Sequence, residues 1–413
     1  MIERAQRRRL RATVAHAYRH VPYYRETFDR LGLAPGGFET AADLDRLPIL
    51  EREQLQRDPE YFVSRARPIE SYAKLRTGGS SGRPLSVFCD PLALFRSVAH
   101  RRRFLYAGET VIGRSARPRR RAVIESAESV VGSIERQIGQ RSPLPAALRP
   151  TLHLSLLDSP AHNLERLEEF RPDVVHSYGS YIEALFTHVH ESGAVFTPPK
   201  LIAYGGDAMS DRVRRLLSDE MGIPALTAYG AVEAPNIGFE CERHTGIHLN
   251  QDLSPLRLVD EDGRDSPAGE SGQVVISNLV NRGTVLLNYR LGDQATMLGT
   301  SCPCGRSLPL MSYVEGRVDD WLQTPSGERR HPQTVRTLFT DEEQVFSYRV
   351  VQRTPTDLLV QVVAAKGCDR AELGERLVRK FAGRLGDAVV VEVEFVDSLP
   401  RTPRGKVKTV VAA

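Results

Sequence analysis

Apolar residues recur at helical spacing between Arg4 and Leu31, where Leu10, Val14, Ala17 and Val21 share one face and Pro22 marks a break, so the chain is expected to open with helices. The stretch Ala41 to Leu50 continues in short helical pieces. From Arg114 to Pro150 the sequence is rich in Arg, Ser and Pro at both edges and reads as loop or weak structure. Alternation then sets in. Asp173-Val174-Val175-His176 reads as a buried strand, Ile182 to Val189 as a helix and Lys200 to Tyr204 as a further strand, a rhythm that predicts a parallel sheet covered by helices. Between about Leu253 and Leu298 the texture changes to short strands divided by Asp-Gly and Asn-Arg-Gly turns, as in Leu256 to Val259 before Asp262-Gly263 and Gln273 to Ile276 after it, predicting a small β subdomain. Beyond Gly316, strands near Tyr348 to Gln352, Asp357 to Val363 and Val389 to Phe395 surround a helix from Arg370 to Leu385, the pattern of a small α+β domain of roughly 90 residues.

Length and charge narrow the class. A chain of 413 residues buries enough core for two or three domains without disulfides or metals. Lys and Arg number 56 against 52 for Asp and Glu, a net charge of +4 that is too even for a dedicated nucleic-acid binder. The basic residues are clustered at Arg7 to Arg9, at Arg101 to Arg103 and at Arg114, Arg117, Arg119, Arg120 and Arg121; such runs either meet an anionic partner or nucleotide phosphates, or are solvated faces. No apolar segment follows the first charges and no run is long enough to span a bilayer, so a cytoplasmic protein without membrane attachment is expected.

Two groups of residues suggest chemistry. Thr77-Gly78-Gly79-Ser80-Ser81-Gly82-Arg83-Pro84 is a glycine- and hydroxyl-rich stretch whose backbone N–H groups can wrap a polyphosphate, although no Lys-Ser/Thr follows its last Gly as in a Walker A loop. Five thinly spread cysteines do not form a disulfide framework. Three of them, Cys241, Cys302 and Cys304, together with His248 offer the ligand set of a closed tetrahedral zinc site; His244 is an alternative to His248, and reduced unpaired thiols are the plain reading. Cys89 and Cys368 have no partner at readable spacing and read as packing residues.

Five stretches in order, Thr77 to Pro84, Tyr229-Gly230-Ala231-Val232-Glu233, Tyr289-Arg290-Leu291-Gly292-Asp293, Gly316-Arg317-Val318-Asp319-Asp320 and Leu399-Pro400-Arg401-Thr402-Pro403-Arg404-Gly405-Lys406, resemble the adenylate-forming acyl-CoA ligase superfamily. The opening Leu10 to Arg25 and the thiol spacing resemble its phenylacetate-CoA ligase branch, with a CapK-like capsule-biosynthesis branch beside it. The resemblance covers nearly the whole chain. It implies an α/β enzyme with a large adenylation domain over residues 1–317, its β subdomain near 250–315, and a small mobile α+β lid over 318–413.

The same resemblance implies an AMP-forming acid-thiol ligase that uses ATP and Mg²⁺ to make an acyl-adenylate from a carboxylic acid, aromatic by preference, and passes the acyl group to coenzyme A. Thr77, Gly78, Gly79, Ser80, Ser81, Gly82 and Arg83 would grip the phosphates, Gly205, Gly206 and Asp207 the adenine edge, Tyr229 and Gly230 the base, and Glu233 the magnesium. Asp293 would accept the ribose hydroxyls with Arg317 beside it, Asp319 would be the hinge, and Lys406 would bridge the substrate carboxylate and the α-phosphate. His176, Tyr178, Tyr181, Tyr204 and Ala231 are candidates for the acyl pocket, and Cys241, His248, Cys302 and Cys304 for structural Zn²⁺. Two positions depart from the pattern: Val232 replaces a Thr or Ser that would touch the α-phosphate, and Arg83 stands where many relatives have Lys. Alternative readings are an amine, sugar or carrier protein as acceptor, and a catalytically idle scaffold; a homodimer is compatible with either.

Overall fold

The helix Ile2–His20 buries Leu10, Thr13, Val14 and Ala17 on one face, and Pro22 opens the next helix, Pro22–Leu31, which closes at Gly32 in the left-handed region. The computed structural model describes the chain apart from residues 77–84, 116–117, 126–149, 300, 318–321, 328, 331, 340, 387, 403–406 and 412–413, and apart from the side chains at 317, 329, 332, 333 and 336. The described residues fall into two units, one built from residues 1–110 and 228–314 and the other from 111–227 and 315–411.

In the first unit, the strands Leu256–Val259, Ser271–Ile276, Tyr289–Gly299, Leu310–Met311, Ile247–Leu249 and Gly238–Glu240 pair antiparallel in that order, and Gly238 and Phe239 pair with Tyr229 and Ala228. The expected β texture after Leu253 is there, joined to strands around Phe239 and His248 that the hydrophobic pattern did not isolate. A separate hairpin pairs Ala73–Arg76 with Ser86–Cys89, flanking the glycine-rich stretch. The core of this unit runs from Leu50, Leu55 and Phe62 through Ile237 and Leu249 to Val274, Tyr289 and Met311.

In the second unit, Leu201–Gly205, Val174–Ser177, Arg121–Glu125 and Thr151–Ser155 pair parallel in that order. Arg121–Glu125 corrects the expectation of loop from Arg114 to Pro150: only Ala122, Val123 and Ile124 are apolar there, and all three are buried. The helices Pro160–Phe170 and Gly179–Ser192 supply Leu164, Leu167, Ile182, Leu185 and Phe186 to the core of this sheet. Residues towards the C-terminus form a second sheet in the order Val390–Phe395, Asp357–Ala364, Val345–Thr354, Val410–Val411. The helix Arg370–Leu385, capped by the Asp369 carboxylate, lays Leu373, Leu377, Phe381 and Leu385 on that sheet at four-residue spacing. No helix among the described residues is long and apolar enough to cross a membrane.

Candidate functional site

The strand Ala225–Tyr229 delivers Tyr229 to a tight loop in which Ala231 and Ala234 exchange backbone hydrogen bonds of 3.0 and 3.1 Å. Only glycine fits at position 230, because a Cβ there would lie 2.4 Å from the Pro235 carbonyl oxygen. The turn directs Glu233 inward, where it is 4% exposed. Its backbone carbonyl accepts from Asn278 Nδ2 at 2.8 Å, its carboxylate accepts from the Tyr289 hydroxyl at 3.3 Å, and Arg52 lies 3.5 Å from the same oxygen. A buried carboxylate needs such partners, and these hold it in one orientation.

Asp293 reaches the same region by a bulge. Val275 pairs with Arg290 and Gln273 with Gln294, so Leu291, Gly292 and Asp293 together face Val274; Gly292 takes φ 86°, which glycine adopts without strain. The bulge turns Asp293 so that its Oδ2 accepts from the Tyr229 hydroxyl at 2.8 Å. Two segments separated by many residues thereby meet: Tyr229 with Asp293, and Glu233 with Tyr289. Tyr289, Arg52 and Asn278 were not singled out in the sequence; Tyr289 stands inside a motif, whereas Arg52 lies in an ordinary charged helix, Arg52–Arg57, and carried no signal.

Cys241, His248, Cys302 and Cys304 converge, with all four ligand atoms within 4.8 Å of one another. A tetrahedral zinc with bonds of about 2.3 Å to sulfur separates its sulfurs by about 3.8 Å. The Cys241 and Cys302 sulfurs are 3.8 Å apart, and Cys304 Sγ is 3.3 Å from His248 Nε2, so the donor set fits that ion. Burial pushes the Cys241 thiol up to about 12, which makes a thiolate there dependent on a neighbouring cation, and burial lowers His248 towards its neutral, ligating form. Each sulfur also has a donor at hand: the Arg243 N–H at 3.4 Å for Cys241, the Thr245 hydroxyl at 3.1 Å for Cys302 and the Arg306 N–H at 3.4 Å for Cys304. His244 is not in the cluster; it sits at φ 51° and bonds Glu240 through Nδ1 at 2.8 Å. Of the two histidines left open by the sequence, the geometry selects His248.

In the second unit, Gly205, Gly206 and Asp207 follow the strand Leu201–Gly205, and Asp207 accepts from both the N–H and the hydroxyl of Ser180, at 3.1 and 2.6 Å. His176 lies on Val174–Ser177 and Tyr178 precedes the helix Gly179–Ser192. Tyr181 and Tyr204 are 1% and 3% exposed within the hydrophobic core, Tyr181 bonded to Asn163 Nδ2 and the Asp158 carbonyl and Tyr204 to Arg214. Both rings lie within the packed interior of the second unit.

Residues 322–413 match the family described as the CapK C-terminal domain. The chain is 26% identical to a phenylacetate-coenzyme A ligase of Thermus thermophilus over 98% of its own length and 95% of the relative, and 20% identical to the protein CapK of Staphylococcus aureus over 93% and 83%. The chain is a homologue of the phenylacetate-CoA ligases and of CapK. Its fold is that of the adenylate-forming CoA ligases: a 2-hydroxyisobutyryl-CoA ligase, solved in its postadenylation state with 2-HIB-AMP, matches all of this chain and 89% of its own with a TM-score of 0.78 at 20% identity.

For this homologue of the CoA ligases, several motif residues fall outside the described part of the structure: Thr77, Gly78, Gly79, Ser80, Ser81, Gly82 and Arg83 of the glycine-rich stretch, the hinge candidate Asp319 and Lys406. The backbone of Arg317 is in the short strand Gly316–Arg317, and its side chain is among those not described. Val232 packs against the core around Ala234 and Ile237, which accounts for an apolar residue in place of a hydroxyl. Arginines of the first two runs have structural partners. Arg9 and Arg103 both grip buried Asp252 at 2.7 Å, Arg7 bonds Glu39 and Arg102 bonds Glu109, so these side chains brace the first unit.

Proposed function

We propose that this protein activates a carboxylic acid with ATP, releasing pyrophosphate and forming an acyl-adenylate, and then transfers the acyl group to the thiol of coenzyme A. The observation that carries the reading is the meeting of Tyr229, Glu233, Tyr289 and Asp293 in one unit, because these residues come from the motifs expected to hold a nucleotide. Attack of a carboxylate on an α-phosphate brings two anions together, and the work of the protein is to orient them and to neutralise charge as it develops. Asp293, an acceptor-only group with two oxygens, suits the paired ribose hydroxyls, and the Tyr229 hydroxyl fixes the rotation of that carboxylate. Glu233 would hold Mg²⁺, which shields the phosphate charge when bound; Tyr289 and Arg52 hold the carboxylate ready in its place.

Thr77 to Arg83 would cradle the phosphates, Gly205 to Asp207 the edge of adenine, Arg317 the ribose, and Lys406 the transferring group, while the region beyond the Asp319 hinge would turn between the two half-reactions. Cys241, His248, Cys302 and Cys304 would hold one zinc with no open position, a structural rather than a reacting metal. An aromatic acid is the first class to test, since phenylacetate-CoA and benzoate-CoA ligases are among the relatives. A second reading keeps the adenylation and changes the acceptor to an amine, a sugar or a carrier-protein arm.

The test is AMP and thioester formation with ATP, Mg²⁺ and a panel of aryl and small aliphatic acids, with and without coenzyme A. Thioester formed from one acid in step with AMP supports the ligase. AMP released at the same rate without any thioester supports the second reading.

A further inference from the structure

Leu399-Pro400-Arg401, at the head of the segment that ends in Lys406, is pinned at two points within the second unit. Leu399 is 9% exposed and belongs to the core around Phe186, Phe346 and Val363. Arg401 is half-buried, its guanidinium 5.3 Å above the Tyr181 ring. One nitrogen of its fork donates to the Ser180 carbonyl at 3.0 Å and another reaches the Ser180 hydroxyl oxygen at 3.3 Å. Ser180 in turn gives its N–H and its hydroxyl to the two oxygens of Asp207. A single residue at the start of the helix Gly179–Ser192 therefore joins Arg401 on one side to the Gly205-Gly206-Asp207 turn on the other.

A second attachment lies one turn along. Ser210 gives its N–H to Glu183 at 2.8 Å and its hydroxyl to the Phe346 carbonyl at 2.9 Å, and Ser347 bonds the Glu183 carboxylate. Phe346 itself is 1% exposed in the same core. These contacts explain why the region matching the CapK C-terminal domain, which contains Phe346, Ser347, Leu399 and Arg401, is held against the helix and the turn.

We infer that Arg401 is a positioning residue whose fork, through Ser180 and Asp207, couples binding of the nucleotide at Gly205 to Asp207 to docking of the C-terminal module. The inference rests on the adenylation reading for the role of that turn. Its physical content is reciprocity: a nucleotide that steadies Asp207 steadies the Arg401 anchor, and the anchored module raises nucleotide affinity by the same factor. A lysine in place of Arg401 keeps the charge and loses the two-pronged geometry, so it restores the coupling only in part.

The test uses the full-length protein, ATP without acid, and hydrogen exchange over Val345–Thr354 and Gly179–Ser192, beside equilibrium ATP binding. In the wild type, ATP is expected to slow exchange in both segments. Arg401→Ala should bind ATP about tenfold more weakly and lose the ATP-induced protection of Val345–Thr354, with Arg401→Lys between the two and Ser180→Ala resembling Arg401→Ala. Unchanged melting temperatures among the variants separate this from general unfolding. Equal ATP affinity and equal protection in wild type and Arg401→Ala would overturn the coupling while leaving the nucleotide reading intact. A wild-type protein that binds no ATP would overturn the nucleotide reading, and the coupling with it.

Discussion

Replacing Cys304 by Ser takes one soft thiolate out of the Cys241, His248, Cys302, Cys304 set, whose ligand atoms already lie within 4.8 Å of one another. Serine supplies a hard, poorly ionised oxygen, so the proposed zinc is lost at ordinary metal concentrations. An ion present at a hundred times its dissociation constant stabilises the folded state by about 2.7 kcal/mol. For a unit of about 200 residues, each kcal/mol moves the melting temperature by roughly 2–4 °C, so the metal should be worth roughly 5–11 °C in the first unit. The assay is elemental analysis of protein prepared without added metal, paired with thermal unfolding with and without a strong chelator. The expected result is one zinc per chain in the wild type, a chelator-induced fall of that size, and a Cys304→Ser protein that lacks zinc and ignores the chelator. Loosening should appear by hydrogen exchange at Gly238–Glu240, Ile247–Leu249 and Leu310–Met311, the strands nearest the cluster. Metal-free wild-type protein with a melting temperature indifferent to chelator would refute the reasoning, because the 3.8 Å sulfur separation would then be packing alone.

Other outcomes follow from single contacts. Tyr229→Phe removes the 2.8 Å hydrogen bond to Asp293, worth about 0.5–1.5 kcal/mol, and should raise the KM for ATP by roughly two- to tenfold; an unchanged KM would show that the hydroxyl does not orient the carboxylate. Asp293→Ala removes charge-assisted bonds to ribose of about 1.5–3 kcal/mol and should weaken ATP by roughly ten- to a hundredfold, read by equilibrium binding, with unaltered binding as the contrary result. Glu233→Gln should abolish the dependence of pyrophosphate release on Mg²⁺ concentration, and a normal Mg²⁺ titration in the variant would contradict the assignment. Burial, with Asp207 adding to it against hydrogen bonds from Ser210 and Ser347, raises Glu183 from 4.5 to about 7. The folded protein then holds a proton that the unfolded chain releases, so stability falls as pH rises from about 4.5 to about 7 and levels off above; Glu183→Gln should flatten that slope, and an identical slope would discount Glu183.

Much of the second unit was legible because its apolar runs are long and regular. Val174–Ser177, Gly179–Ser192 and Arg370–Leu385 lie where alternation and four-residue spacing put them. Arg121–Glu125 was not, since three apolar residues between Arg121 and Glu125 give no period to read and the strand exists only by pairing with Val174–Ser177 and Thr151–Ser155. At the candidate site, residue types and order indicated Tyr229, Glu233 and Asp293. The bonds that join them depend on a bulge at Gly292 and on Tyr289, Asn278 and Arg52 arriving from elsewhere in the chain, which is long-range information. Spacing could not choose between His244 and His248 either; strand pairing of His248 with Phe239 and Leu310 did. The burial of Tyr181 and Tyr204 was not legible, because an aromatic beside a glycine-rich turn has the same sequence signature whether it faces a ligand or the core. Arg401 and Ser180 gave no signal of their meeting, since 221 residues separate them.

The most direct measurement is acid-dependent exchange of labelled pyrophosphate into ATP, made with the full-length protein and Mg²⁺ in the absence of coenzyme A. An acyl-adenylate formed reversibly from a carboxylic acid predicts exchange that appears only when a suitable acid is added and disappears in Asp293→Ala. ATP consumption that yields ADP and phosphate, or no exchange with any acid across a broad panel, would contradict the account.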